Sequence, residues 1–171
     1  WKQVVSIHPP TLNRDERRFI TDLRNYWRQH HNQPPMESCE LYVLRNLPNT
    51  GIGLFHRSGF YPDFVLWLHN TETGKTCVCF IEPHGLHHDG LAGSADKFAA
   101  LNTLRGLSNH PEFQQKGIAL SGYILTATPP KLIVDVQDRS ENDLEREYPL
   151  IFQEENYIQK IFSGLVAGGN S

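Results

Sequence analysis

The chain has 171 residues, of which 39% are hydrophobic, and its formal net charge is −3. A chain of this length can bury one substantial core, which predicts a single domain over residues 1–171. No apolar stretch approaches the ~20 residues that a membrane-spanning helix needs, so we expect no membrane partner. The small negative charge excludes a strongly basic protein that would bind nucleic acid through its overall charge.

The three cysteines indicate the redox setting of the protein. Cys77 and Cys79 lie two apart on a predicted strand, so their side chains point the same way and are poorly placed to bond to each other. With Cys39 the number is odd, which favours free thiols and a cytoplasmic location. A zinc half-site is the alternative, but the sequence has no second cysteine pair to complete it. Because the sequence opens on Trp1 and shows no signal peptide, we expect a piece of a longer polypeptide.

The first predicted element is a helix over residues 13–30. Asn13 is an N-cap candidate, and Glu16 stands three residues later, as a capping box requires. Apolar residues then recur at helical spacing, namely Phe19, Ile20, Leu23, Tyr26 and Trp27. Two interpretations of Glu16 stay open at this point: it completes the cap, or it belongs to a functional site.

The same helix carries much of the positive charge of the chain. Residues 1–60 hold eight lysines and arginines against five acids, whereas residues 132–171 hold three against eight. The helix contributes Arg14, Arg17, Arg18, Arg24 and Arg28. Such a group either faces phosphates or forms an ordinary solvated helix face, and the second interpretation is the more common one.

A hairpin is predicted where two apolar runs flank a polar stretch with turn chemistry. The runs cover residues 64–68 and 77–81, and the connection covers residues 69–75. If the turn centres on residues 72–73, paired residues have numbers that sum to 145, and Asp63 lies opposite Glu82. The period of two places His84 on the same face as Glu82. We therefore expect these polar groups to converge at one end of a buried sheet.

The remaining elements complete an α/β domain. Strands are predicted over residues 41–47, 117–126 and 131–136, and helices over residues 95–107, with Ser94 as the cap, and 157–165. The acidic segment 138–147 is expected to be exposed. The order helix, strand, hairpin, helix, strand favours one layered domain with a central sheet flanked by helices.

Asp63 and Glu82 are candidate ligands for a hard cation. Mg²⁺ and Mn²⁺ prefer oxygen ligands, usually one or two carboxylates together with water and substrate phosphate. The backbone carbonyl of Pro83 offers another oxygen next to Glu82. A cation held there can activate a water molecule and offset the charge that develops on a phosphodiester under attack.

This arrangement resembles the PD-(D/E)XK nuclease superfamily. The match consists of Pro62-Asp63 and then Glu82-x-His84 on the expected hairpin. The segments 42–46, 51–53, 61–64 and 80–86 look more narrowly like the nuclease domains attached to DEAD/DEAH helicase motors in restriction-type, phage-defence polypeptides of the type III kind. The resemblance covers residues 12–126. It implies an αβββαβ restriction-endonuclease-like core with a mixed sheet.

The resemblance also implies an activity, partners and residue roles. The expected activity is Mg²⁺- or Mn²⁺-dependent hydrolysis of DNA, in a polypeptide that also carries a helicase/ATPase region. Asp63 and Glu82 would hold the metal, and Glu16 would assist through the metal or a water molecule. His84 occupies the position where the family has a lysine, and Lys97 is the best placed replacement for that lysine, ahead of Lys131. His84 itself is a general base, a third metal ligand or a mark of lost activity.

Three rival hypotheses remain at the level of sequence. A nuclease-like fold that has lost cleavage would act as a DNA-binding or scaffolding module, and the missing lysine favours it. An unrelated α/β interaction domain would carry the motif by accident. Finally, His84, His87 and His88 could bind zinc, although their spacing matches no firm zinc pattern.

Overall fold

The computed structural model of the protein describes residues 11–49, 51–54, 59–136 and 138–169. The helices are α1 (Arg14–His30), α2 (Gly90–Gly93), α3 (Ala95–Ser108), α4 (Pro111–Gln115), α5 (Glu141–Glu147) and α6 (Tyr157–Gly169). The strands are β1 (Cys39–Arg45), β2 (Phe64–Asn70), β3 (Thr76–Pro83), β4 (Ile118–Thr126) and β5 (Leu150–Phe152). None of the helices in this part of the chain combines the length and the apolar composition that crossing a bilayer requires.

The five strands form one mixed sheet in the order β1-β2-β3-β4-β5. The pairs β1–β2 and β2–β3 are antiparallel, whereas the pairs β3–β4 and β4–β5 are parallel. The predicted register of the hairpin is confirmed, because Phe64 pairs with Ile81 and His69 with Thr76. Asp63 and Glu82 are the next pair in that series, immediately beyond Phe64 and Ile81.

Helices cover both faces of the sheet, so the predicted α/β class with a central mixed sheet is confirmed. On one face, Phe19 of α1 and Phe162 of α6 pack with Ile81 of β3. On the other face, Phe98 and Leu101 of α3 belong to the same buried cluster as residues of β3 and β4. Complete burial of an aromatic or leucine side chain contributes roughly 1.5–3 kcal/mol, so the two cores hold the sheet between its helices.

The predicted first helix is confirmed together with its cap. The Asn13 side chain accepts hydrogen bonds from the backbone N–H groups of Asp15 and Glu16, and Glu16 reaches back to the N–H of Asn13. Phe19 and Leu23 are buried beneath the helix. The capping interpretation of Glu16 therefore holds, whatever else this carboxylate does.

Ser94 does not cap α3 through its side chain. It stands at the N-cap position with φ −101° and ψ 6°, and its buried hydroxyl has no hydrogen-bond partner in the described part of the chain. A capping side chain normally belongs to a residue with extended backbone, from which it can reach the free N–H groups of the first turn. Because α2 runs almost directly into α3, Ser94 lacks that geometry.

The strand predicted over residues 131–136 is wrong. The chain there forms a 3-10 turn, Pro130–Leu132, followed by further turns that bury Ile133 and Val136. Ile133 and Val136 serve as isolated core contacts rather than as parts of a ladder, and Val134 is exposed. The fifth strand is instead β5, which pairs in parallel with the end of β4. The acidic segment before it forms α5, which buries Leu144.

Candidate active site

Asp63 and Glu82 meet at the end of the sheet where β2 begins and β3 ends. Their backbone positions follow from the hairpin register, and the N–H of Asp63 donates to Glu82 Oε2 at 3.2 Å. The Glu82 side chain is 10% exposed. Even-numbered residues of β3 share the α3 face of the sheet, where Phe80 packs, so Glu82 points toward α3. Two acids thus lie side by side at the margin of a buried core.

Asn46 fixes the backbone just before Asp63. The Asn46 side chain donates to the carbonyl of Pro62 at 2.9 Å and to that of Ile52 at 2.7 Å. The backbone N–H of Asn46 donates to the carbonyl of Asp63 at 2.7 Å. Asn46 is buried in the structure. The sequence shows only an asparagine near the end of a predicted strand, so sequence reasoning missed this role.

Lys97 reaches Glu82 from the first turns of α3. Its Nζ lies 2.6 Å from Glu82 Oε1, and its side chain is 28% exposed. Helix α3 lies close to the sheet because β4 has no side chain at Gly122, where a Cβ would meet Leu101 Cδ2 at 2.5 Å. The structure therefore brings to the acid pair the lysine that the sequence favoured. Lys131, the weaker choice, is exposed in the 3-10 turn and forms no ion pair with the acids in the described residues.

A second cation–carboxylate pair lies on the opposite face of the sheet end. Arg45 closes β1, and its guanidinium lies 3.0 Å from Glu16 Oε2. Glu16 and Arg45 have side chains that are 6% and 14% exposed, so the pair is largely buried. Since Glu16 also accepts the N–H of Asn13, it is held by both the helix cap and Arg45. Sequence reasoning assigned no role to Arg45.

The pKa of Asp63 reports the electrostatics of the whole cluster. This pKa is raised from 3.8 to about 7, first by burial and then by the charges of Glu82 and Glu16, whereas Lys97 and Arg45 oppose the change. Among the described residues, no donor forms a hydrogen bond with the Asp63 carboxylate. Among the residues that the structure describes, Asp63 is therefore a carboxyl group without a direct cationic partner, and it would gain from one.

His84 lies beyond the end of β3, beside Lys97 and Glu82. The backbone N–H of His84 donates to the carbonyl of Leu125 at 2.8 Å, and the imidazole Nε2 lies 4.0 Å from Asp89 Oδ2. Burial and the charge of Lys97 lower its pKa below the usual 6.5, although Glu82 and Asp89 act in the opposite sense. The imidazole is therefore mostly neutral at pH 7 and has a nitrogen able to accept a proton.

The oxygen atoms at this end of the sheet fit a divalent cation. Asp63 offers carboxylate oxygens that accept no hydrogen bond from the described residues. Each Glu82 oxygen accepts one hydrogen bond and keeps a second lone pair, and Pro83 follows Glu82 at the end of β3. Mg²⁺ commonly takes one or two protein carboxylates and completes its shell with water and phosphate, so these residues fit it. The described part of the chain holds no group of three or more histidine, cysteine and acidic side chains arranged for a metal. The zinc site of His84, His87 and His88 is therefore not formed.

Comparison with known proteins gives no relative: no family model, no curated protein and no solved structure matches the chain. The resemblance to PD-(D/E)XK nucleases stays a prediction from the motif and its place in the fold. Any function must accordingly be argued from the residues at the end of the sheet.

Proposed function

We propose that this protein is a metal-dependent endonuclease domain that hydrolyses DNA phosphodiester bonds. The observation that carries the proposal is the convergence of Asp63, Glu82 and Lys97, with the lysine ammonium 2.6 Å from a glutamate that adjoins the aspartate. Cation-assisted phosphodiester hydrolysis requires carboxylates that hold the metal and a positively charged donor for the phosphate, and both kinds of group lie at this end of the sheet. The raised pKa of Asp63 further supports a function that places positive charge beside it.

Each residue has a definite part in the proposed reaction. Asp63, Glu82 and the Pro83 carbonyl would hold Mg²⁺ or Mn²⁺, which lowers the pKa of a bound water molecule and polarises the phosphate. Lys97 donates hydrogen bonds to the non-bridging oxygens of the phosphate as their negative charge grows. Neutral His84 accepts a proton from the attacking water. Glu16 acts from a distance, because its charge favours the protonated form of Asp63 unless a cation offsets it.

A larger setting is part of the same proposal. The domain would belong to a cytoplasmic, helicase-linked restriction or phage-defence protein, in which an ATPase region moves the DNA. This setting rests on the resemblance of segments 42–46 and 80–86 to such nuclease domains. The three cysteines of the chain are free thiols, which is compatible with a reducing compartment.

A second candidate is a nuclease-like module that binds DNA without cutting it. Two observations favour it, namely histidine at the position where the family carries lysine and the ion pair that already occupies one oxygen of Glu82. In this alternative, Lys97 neutralises Glu82 in place of a metal. The two candidates differ in whether Asp63 binds a divalent cation and therefore in whether the protein cuts DNA.

The deciding experiment measures cleavage of plasmid and single-stranded DNA with Mg²⁺, Mn²⁺ or EDTA. Asp63→Ala and Glu82→Ala are compared with Asp96→Ala, which removes an exposed acid from the same helix as Lys97. We expect metal-dependent cutting that both site variants abolish and Asp96→Ala retains. Calorimetry with Mn²⁺ completes the test. No cutting together with no Mn²⁺ binding would overturn the nuclease proposal in favour of the binding module.

A further inference from the structure

Helix α1 presents a line of arginines on the side that faces away from the core. All five arginines of the helix are exposed. At 3.6 residues per turn, Arg14, Arg17, Arg24 and Arg28 fall within one stripe, roughly opposite the buried Phe19. We call these four residues the α1 arginine stripe. Their side chains are directed to solvent by the same amphipathic pattern that buries the other side of the helix.

The acids of α1 do not neutralise this stripe. Glu16 is engaged with Arg45, and Asp22 accepts a hydrogen bond from the Tyr157 hydroxyl at 2.8 Å. Asp22 also pairs with Arg18, which lies outside the stripe. Within the described residues, no ion pair involves a member of the stripe, although Arg17 donates to the carbonyl of Leu12 at 3.4 Å. The stripe therefore keeps its positive charge for a partner.

The stripe begins at the end of α1 that lies nearest the candidate active site. Glu16 is in the same first turn, on the buried side of the helix, and its charge acts on Asp63 across the end of the sheet. From Arg14 to Arg28 the helix rises ~21 Å at 1.5 Å per residue. That length corresponds to about six base pairs of duplex at ~3.4 Å each. The stripe is therefore long enough to contact several base pairs of one duplex.

The rest of the surface makes this charge directional. The segment 132–171 is strongly acidic, and α5 carries Glu141, Asp143, Glu145 and Glu147 within two turns. A polyanion is repelled by α5, whose Leu144 packs on the α3 face of the sheet, and attracted by α1 on the other face. Arginine suits a phosphate chain because its planar guanidinium donates in pairs to phosphate oxygens.

We propose that the α1 arginine stripe binds the sugar–phosphate backbone of duplex DNA. This inference deepens the proposed function, on which it rests, by naming the surface that holds the substrate and the form of the substrate. The contacts are to phosphates, so binding is independent of base sequence and strongly dependent on salt.

The test measures binding of a fluorescent duplex oligonucleotide by anisotropy, in EDTA and over a series of salt concentrations. Arg24→Gln/Arg28→Gln is compared with Lys116→Gln/Arg146→Gln, which removes the same two charges from exposed positions elsewhere. We expect the stripe variant to weaken binding about tenfold or more at 0.1 M salt and to lower the slope of log K against log salt by about two. The control pair should leave both quantities close to those of the unmodified protein.

Equal effects of the two double variants would overturn the inference, because charge in general and not the stripe would then determine binding. Stripe-dependent binding to anionic vesicles without binding to DNA would also overturn it. Since EDTA removes the divalent cation, the result is separate from cleavage. Binding through the stripe without metal-dependent cutting would sink the nuclease proposal alone, whereas cutting and binding that both ignore the stripe would sink this inference alone.

Discussion

Two cation–carboxylate pairs flank Asp63, and they differ in burial and in the structure that each one stabilises. Glu16–Arg45 lies on the α1 face, is largely buried, and is tied into the cap of a helix. Glu82–Lys97 lies on the α3 face, where the lysine side chain is 28% exposed and the glutamate also receives the N–H of Asp63. Both cations lower the pKa of Asp63, and both glutamates raise it.

The difference assigns the two pairs to different tasks. A buried arginine held by a capping glutamate is a fixed part of the fold, because removal of Arg45 leaves the buried Glu16 carboxylate without its cation. A lysine on a flexible stem at the open end of the sheet can turn from Glu82 to a phosphate at little cost. Stability should therefore depend mainly on Arg45, and activity mainly on Lys97.

The largest expected effect is the loss of cleavage in Lys97→Met. The change removes the ammonium but keeps the apolar stem, so we expect cleavage to fall about 10²–10³-fold while the fold persists. Steady-state cleavage of plasmid measures the first effect, and urea denaturation the second. Lys116→Met is the matched control, since Lys116 is an exposed lysine at the end of α4. Unchanged cleavage in Lys97→Met would remove this lysine from the mechanism.

Arg45→Met should mainly lower stability. It leaves the Glu16 carboxylate buried with only the Asn13 N–H among its described partners, and we expect a loss of about 2–4 kcal/mol in the free energy of unfolding. Glu16→Gln in the same chain keeps a capping side chain but removes the charge, so it should restore part of the loss. Urea denaturation of both variants measures this. A double variant less stable than Arg45→Met would contradict the assignment.

Asp63→Asn should stabilise the metal-free protein at alkaline pH while it abolishes cleavage. The pKa of Asp63 is raised from 3.8 to about 7, so the folded state retains a proton that the unfolded state loses. The resulting stability is fully present below pH 3.8 and is lost as pH rises through about 7. Above pH 7, we expect Asp63→Asn to gain about 1–3 kcal/mol, a value reduced for the partial exposure of the side chain.

Urea denaturation in EDTA at pH 5 and pH 8 checks this prediction, with Asp96→Asn as the control for an exposed acid. The gain should be small at pH 5 and large at pH 8 only in the site variant. An equal gain at both pH values would mean that the ionisation of Asp63 is not the cause.

The smallest expected effect concerns His84. The charge of Lys97 contributes to its lowered pKa, so Lys97→Met should raise the pKa of His84, whereas Lys116→Met should not. Titration of the imidazole carbon protons by NMR measures the change. If His84 accepts a proton during cleavage, activity of the unmodified protein should fall as pH drops through this pKa. A rate that stays level there would assign His84 to a structural contact.

Much of the architecture could be predicted because local signals and long-range contacts agree. The hairpin has a polar turn between two apolar runs, and a turn centred on residues 72–73 predicts the register that is observed. The first helix combines a capping box with an apolar stripe, and both are formed. These signals lie within a few residues of the structure that they specify.

The features that sequence analysis missed depend on contacts between distant parts of the chain or on prolines beside a strand-like segment. Strand β5 has only three residues, and its pairing with β4 depends on the placement of α5, which no local pattern announces. Residues 131–136 have strand-like composition but follow Pro129 and Pro130, which lack N–H donors for a ladder. The proximity of Arg45 to Glu16 depends on the packing of α1 over β1. Sequence reasoning found the acid pair because the register alone brings its members together.

The capping box of α1 gives the candidate site a reporter that needs no substrate. Glu16 holds the Asn13 amide through one hydrogen bond, and the same carboxylate contributes to the field at Asp63. A cation that drew Glu16 toward the acid pair would loosen this bond and expose the amide to solvent. Hydrogen–deuterium exchange at Asn13 would then quicken on loading, while the middle of α1 stayed protected. Occupancy could thus be followed at the start of a helix, on the opposite face of the sheet from the proposed ligands.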